Sequence, residues 1–169
     1  TVSAGNGIVS NDVLAYVNAN VDQTVYYTFE NAVNVSDLEK FDAVTYDINK
    51  LILKGGLVFD KKLSDKNKPL VNGVKTIEFN TVDNGISMKA NMASFLNVET
   101  IEVNAAVPFS GFQKENSRIS FANDVTIKVA AKLSVKYLSM VAYEETPNVN
   151  IELGAGGSIE VINSDIYVG

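Results

Sequence analysis

Cysteine, histidine and tryptophan are all absent from this chain of 169 residues. Without cysteine there is no disulfide, no thiolate metal site and no thiol nucleophile, so the fold has to hold by packing, in a reducing compartment or on a bacterial or viral exterior. Without histidine the usual general base near neutral pH and the commonest metal ligand are missing, and a Ser-His-Asp arrangement is impossible. No Asp-x-Asp-x-Asp-Gly calcium loop occurs. Gly154, Gly156 and Gly157 lack the lysine and the strand-to-helix setting of a phosphate-binding loop. No catalytic residue, metal ligand or cofactor site is therefore expected.

Long apolar runs are missing as well: none approaches the ~20 residues of a membrane-spanning helix, so no membrane insertion is expected. Thr1 to Ser10 show no basic cluster followed by an apolar stretch, so a secretory signal is expected to be absent or already removed. Basic residues are scarce overall. The net charge of −6 argues against a nucleic-acid partner, because affinity for a phosphate backbone comes from clustered Lys and Arg.

The charge is unevenly spread. Residues 1–46 are acidic, residues 47–75 carry seven lysines against three aspartates, and residues 137–169 contain no Lys or Arg beside Glu144, Glu145, Glu152, Glu160 and Asp165. The ends are acidic and a loop region between them is basic.

What the sequence does contain is a repeat. Val74-Lys-Thr-Ile-Glu-Phe-Asn80 returns as Val98-Glu-Thr-Ile-Glu-Val-Asn104, as Val125-Thr-Ile-Lys-Val-Ala130 and as Val149-Asn-Ile-Glu-Leu-Gly154, with a degraded copy at Ile48 to Lys54. Taking Leu51, Ile77, Ile101, Ile127 and Ile151 as equivalent gives spacings of 26, 24, 26 and 24, and Tyr27 lies 24 residues before Leu51. Each kernel alternates apolar and polar residues, the pattern of a half-buried strand. One conserved-pattern strand per ~25 residues, separated by linkers of unequal length, predicts a solenoid that stacks the same strand into a parallel sheet. Asn72, Asn97, Asn123 and Asn148 precede or open these strands and are expected at corners, where asparagine tolerates turn geometry.

Second strands are expected at 85–90, 118–122, 158–162 and, as one long segment, 132–143. The N-terminal part, 1–46, reads as mixed: short helices at Ser10–Asn18 and Val35–Asp42, where capping residues precede apolar positions at helical spacing, with a strand at Gln23–Phe29 between them. Tyr26 and Tyr27 are adjacent in that strand and should face opposite ways. Turn chemistry marks 60–69, 83–85, 109–112, 144–147 and 154–157 as loops. The expected fold is thus a single, mainly β domain over 1–169, a short parallel β-solenoid with a small helical N-terminal part and a repeat-like β part over 47–169. An antiparallel β-sandwich is the alternative, since it too has short strands at close spacing.

At the kernels the chain resembles two repeat classes: the parallel β-helices of bacterial surface and phage fibre proteins, and the irregular leucine-rich repeats of bacterial surface proteins. The second likeness is strongest at Ala93-Ser-Phe-Leu-Asn-Val-Glu-Thr-Ile-Glu-Val103. The resemblance covers about residues 47–162 and implies scaffolding or binding; neither class supplies a functional residue position by position.

Among surface features the lysine-rich loop 60–69 stands out. A solvated loop is one reading. The sharper one makes Lys61, Lys62, Lys66 and Lys68 a docking site for the acidic C-terminal region of a neighbouring subunit, around Glu144 and Glu145. Glu78 with Glu102, or Glu102 with Glu152, would be the carboxylate pair of a glycan-cleaving site. Their alternative is a solvent-facing ladder in which Lys128 supplies the opposite charge.

The functional expectation is a non-enzymatic structural or adhesive subunit of a surface, fibre or virion assembly, partnered by itself or by other structural proteins and located outside the cell. A glycan-binding or glycan-cleaving module and a fragment of a larger surface protein are the alternatives.

Overall fold

The apolar positions of successive kernels do fall on top of one another. A computed structural model describes residues 2–4, 25–39, 48–68, 70, 73–142 and 148–166. They form a β-solenoid of about five turns. Leu51 and Ile77, Ile77 and Ile101, Ile101 and Ile127, and Ile127 and Ile151 are Cα partners on parallel neighbouring strands, and Tyr27 partners Leu51. The sequence period is therefore the length of one coil.

Three parallel sheets line the coils. The first contains β1 (Val2–Ala4), β2 (Val25–Phe29), β4 (Ile48–Leu53), β6 (Thr76–Phe79), β9 (Thr100–Val103), β12 (Val125–Val129) and β15 (Val149–Leu153), in that order. The second contains β3 (Val33–Asn34), β5 (Leu57–Phe59), β7 (Ile86–Met88), β10 (Val107–Ser110), β13 (Lys132–Lys136) and β16 (Ser158–Ile162). The third is shorter, with β8 (Ala93–Phe95), β11 (Ser117–Phe121) and β14 (Leu138–Ala142). An antiparallel sandwich is excluded, because every described pairing is parallel.

In the earlier coils other segments take the third side. Helix α1 (Val35–Leu38) occupies it after β3, buried through Val35 and Leu38. Loop 60–68 occupies it after β5, where the Phe95 amide donates to the Leu63 carbonyl (2.9 Å) and the Leu63 amide to Ser94 Oγ (2.7 Å). The lysine loop thus lies along an edge of the third sheet, and its charges discourage further strand pairing there. Of the helix expected over Val35–Asp42, one turn forms at Val35–Leu38 and Glu39 caps it; residues 40–42 lie outside the described residues. Asp60, one coil away, accepts from the Ser36 amide (3.1 Å) and from Ser36 Oγ. The helix expected at Ser10–Asn18 lies outside the described residues.

The core is a set of stacked rows, each contributed by one inward position per coil. Tyr27, Leu51, Ile77, Ile101 and Ile127 form one; Phe29, Leu53, Phe79, Val103 and Val129 a second; Val33, Leu57, Ile86, Phe109 and Val135 a third, all of them buried. Phe79 meets Phe109 edge to face at 5.1 Å, tying the first two sheets together. Tyr27 is fully buried while Tyr26 is 36% exposed, the opposite-face split that strand alternation requires. Burial pushes the Tyr27 hydroxyl pKa up to about 12.

Corners explain where the sequence pattern misleads. The segment 132–143 is two strands, β13 and β14, separated by Tyr137 in the left-handed region (φ 51°). One coil later Asn163 adopts the same conformation (φ 46°). Phe109 and Ser110 belong to β10, and the turn starts only at Gly111, where a Cβ would lie 1.9 Å from the Tyr137 carbonyl oxygen. The asparagine corners are as expected for the described members: Asn123 Nδ2 donates to Asn97 Oδ1, and the Asn148 amide donates to Asp124 Oδ1 (2.7 Å).

Candidate functional site

Three surface features can be built up from the coil geometry: a charged ladder, a lysine-lined cleft and an open end.

The ladder lies on the outer face of the first sheet. Tyr26, Lys50, Thr76, Thr100, Thr126 and Asn150 follow one another in register, and beside them run Ile52, Glu78, Glu102, Lys128 and Glu152. Stacking places Glu78 next to Glu102, as the repeat implies. Lys50 Nζ reaches diagonally to both, 3.0 Å from Glu78 Oε1 and 2.8 Å from Glu102 Oε2, and sits 5.0 Å from the Tyr26 ring centroid. Burial works to lower the Lys50 pKa, but the hydrogen bonds and charges of Glu102 and Glu78 prevail and hold it above the ordinary lysine value. Lys128 lies in register between Glu102 and Glu152, yet the ion pairs to the Glu78–Glu102 pair come from Lys50. Spacing of like positions revealed the column; the diagonal reach of a long side chain from the adjoining row did not show in it.

The cleft forms where loop 60–68 turns against the end of α1. Its volume is about 240 Å3, and Lys61, Lys62, Lys68, Ser64, Asp65 and Glu39 contribute to its walls. Lys61 Nζ bonds Glu39 Oε2 at 2.8 Å. Lys62 and Lys68 have no ion pair among the described residues, so the cleft keeps two uncommitted ammonium groups. Lys66 does not line it; its carbonyl accepts from Asn97 Nδ2 at 3.4 Å. Three of the four lysines singled out in the sequence therefore converge on one place. Glu144 and Glu145, expected as their counterparts, lie outside the described residues.

That a solenoid has ends needing caps or partners follows from the sequence pattern, but which residues form this open end does not. Leu153 continues the row of Val129 and is 59% exposed; Val161 continues the row of Val135 and is 45% exposed. Their predecessors in the same rows are buried to 1% or less at Val129 and Val135. Strands β15 and β16 end the first two sheets, so no described strand lies beyond them. Glu152 and Glu160, next to Leu153 and Val161 in β15 and β16, are exposed, as is Asp165 on the third side, where its carbonyl accepts from the Met140 amide. Glu160 is met from the inner side by Lys132 Nζ at 2.9 Å and by Ser134 Oγ at 3.2 Å. Those contacts, led by the Lys132 hydrogen bond, hold its pKa below the usual glutamate value. The sequence signal at this surface is the kernel Val149-Asn-Ile-Glu-Leu-Gly154, whose inward Ile-x-Leu meets β12 on one side and no described strand on the other.

Among the described residues no group of three or more His, Cys, Asp and Glu is placed to hold a metal ion. No described helix is long and apolar enough to cross a membrane. No protein-family model matches the chain, and comparisons with curated proteins and with solved structures give no match.

Proposed function

We propose that this protein is a non-enzymatic structural or adhesive subunit of an extracellular surface, fibre or virion assembly, joined to its neighbours through the open end of the solenoid. The observation that carries this reading is the exposure of Leu153 and Val161, the last members of two otherwise buried rows. A solenoid end with aliphatic side chains and strand edges without a partner is stabilised when another coil stacks on it. The same surface would accept a further coil of a longer surface protein of which this chain is one part.

The acidic rim sets the conditions of the test. Two such ends repel at low salt, and screening removes that repulsion while leaving apolar burial intact. Light scattering should show association that grows with salt and disappears in Leu153→Lys/Val161→Lys. A chain that stays monomeric at high salt, or a double variant that associates equally well, contradicts the reading.

The convergence of Lys61, Lys62 and Lys68 favours a second contact, between the cleft and the acidic C-terminal region of a neighbour. That contact has the opposite salt dependence: it weakens as salt rises and is lost in Lys62→Glu/Lys68→Glu. The glycan-cleaving alternative would need Glu78 or Glu102 released from Lys50, and turnover of an oligosaccharide abolished by Glu102→Gln is the result that would support it.

A further inference from the structure

The partner that fits the open end can be specified by the chemistry of the coil already stacked on it. Where β12 and β13 meet β15 and β16, aliphatic rows face aliphatic rows: Ile127 partners Ile151, Val129 partners Leu153, Leu133 partners Ile159 and Val135 partners Val161. On the outer face lysines meet glutamates. Lys128 is in register with Glu152, and Lys132 bonds Glu160 at 2.9 Å. The Glu78–Glu102 pair shows how such a column is completed: Lys50 holds it from one side, and Lys128 stands in register on the other.

Glu152 and Glu160 have this lysine-bearing neighbour on their inner side alone. On the outer side there is no described strand, and the sequence from Tyr137 to Gly169 supplies no Lys or Arg. The end therefore offers aliphatic side chains, two strand edges and exposed carboxylates together.

We propose that the edge formed by β15 and β16 is a docking site for a basic parallel β-segment, one with aliphatic residues facing Leu153 and Val161 and Lys or Arg facing Glu152 and Glu160. Strand addition of this kind uses the partner's backbone for hydrogen bonds and its alternate side chains for selectivity. At low salt a second copy of this chain fits less well, because a C-terminal end meeting its own kind sets Glu152 and Glu160 against further glutamates, a repulsion that only screening removes. The proposal rests on the open end being an association surface, the reading given under Proposed function.

The protein's own coil provides the probe. A labelled synthetic peptide of residues 125–136, which carries Lys128, Lys132 and Lys136, is titrated with the intact chain at low salt and compared with a peptide carrying glutamate at those three positions. The lysine peptide should bind at least about tenfold more tightly, as expected of a charge-matched contact. In Glu152→Gln/Glu160→Gln that preference should shrink severalfold, and in Glu152→Lys it should shrink or invert. In Leu153→Asn/Val161→Asn both peptides should bind poorly. Equal affinity of the two peptides, or a preference unchanged by the Glu152 and Glu160 variants, overturns the proposal. If the chain still associates with itself at high salt through Leu153 and Val161, the open-end reading survives that failure. If it does not, both fall together.

Discussion

Val129 and Leu153 are Cα partners on neighbouring parallel strands, yet Val129 is 1% exposed and Leu153 is 59% exposed. The two positions are equivalent in the repeat, but β12 is flanked by β9 and β15 whereas β15 has no described strand on its far side. Ile101 and Leu153 should therefore respond differently to truncation. Ile101→Ala, in the middle of a stacked row, should lose about 2–5 kcal/mol through lost transfer energy and a residual cavity. Leu153→Ala should stay within about 0.5 kcal/mol in the monomer. Urea denaturation at low salt measures both.

Lys50 holds two carboxylates, so Lys50→Met should cost about 1.5–3 kcal/mol near neutral pH, the usual scale for hydrogen bonds to charged groups, by leaving Glu78 and Glu102 beside each other without their shared cation. The pH dependence has a definite sign. A lysine pKa raised on folding adds stability that is complete below the unfolded-state pKa and is lost as pH rises through the folded one. The buried Tyr27 hydroxyl, raised to about 12, acts in the same alkaline direction. Stability should accordingly fall in the alkaline range in the parent chain, and less steeply in Lys50→Met or Tyr27→Phe. An identical alkaline profile in all three would contradict the ion-pair geometry.

Asp60 works at the acid end. Burial opposes ionisation there, but the hydrogen bonds from the Ser36 side chain and backbone keep its pKa below the usual aspartate value. Its contribution is present above the unfolded-state pKa and lost as pH falls through the folded one. Asp60→Asn or Ser36→Ala should cost about 1 kcal/mol, comparable with loss of a helix N-cap. The double variant should cost less than the two single losses combined, because both remove the same contact.

The corner at Gly111 admits no side chain, since an added Cβ would lie 1.9 Å from the Tyr137 carbonyl oxygen. Gly111→Ala should destabilise by more than about 2 kcal/mol or prevent folding. At Gly154 the nearest atom to an added Cβ is 3.5 Å away, so Gly154→Ala should be tolerated within about 0.5 kcal/mol. Thermal melts of the two variants distinguish a stacked corner from an ordinary surface turn.

The architecture was largely legible because each coil repeats one strand with alternating polarity, and alternation fixes both face and register. Leu51, Ile77, Ile101, Ile127 and Ile151 could be aligned from the sequence, and each aligned neighbour is a Cα partner in the fold. Corners were less legible. Tyr137 carries none of the glycine or asparagine chemistry that marks a left-handed turn, so β13 and β14 read as one strand. Helical spacing over Val35–Asp42 is a local signal; among the described residues it gives the single turn Val35–Leu38, positioned by stacking and by Asp60 one coil away. At the surface, the lysines of loop 60–69 were visible as composition, but only the turn of the loop brings Lys61, Lys62 and Lys68 to one cleft. The residues of the open end were illegible for a simpler reason: exposure at a repeat position depends on what stacks next, and Leu153 looks like every other inward residue.

Hydrogen exchange resolved to β15 and β16, followed across protein concentration at high salt, tests most directly whether the open end is an association surface. If coils stack on that end, the amides of 149–153 and 158–162 should be weakly protected in dilute solution and approach the protection of β12 and β13 as concentration rises, with no such change in Leu153→Lys/Val161→Lys. Protection in β15 and β16 that does not depend on concentration would contradict it.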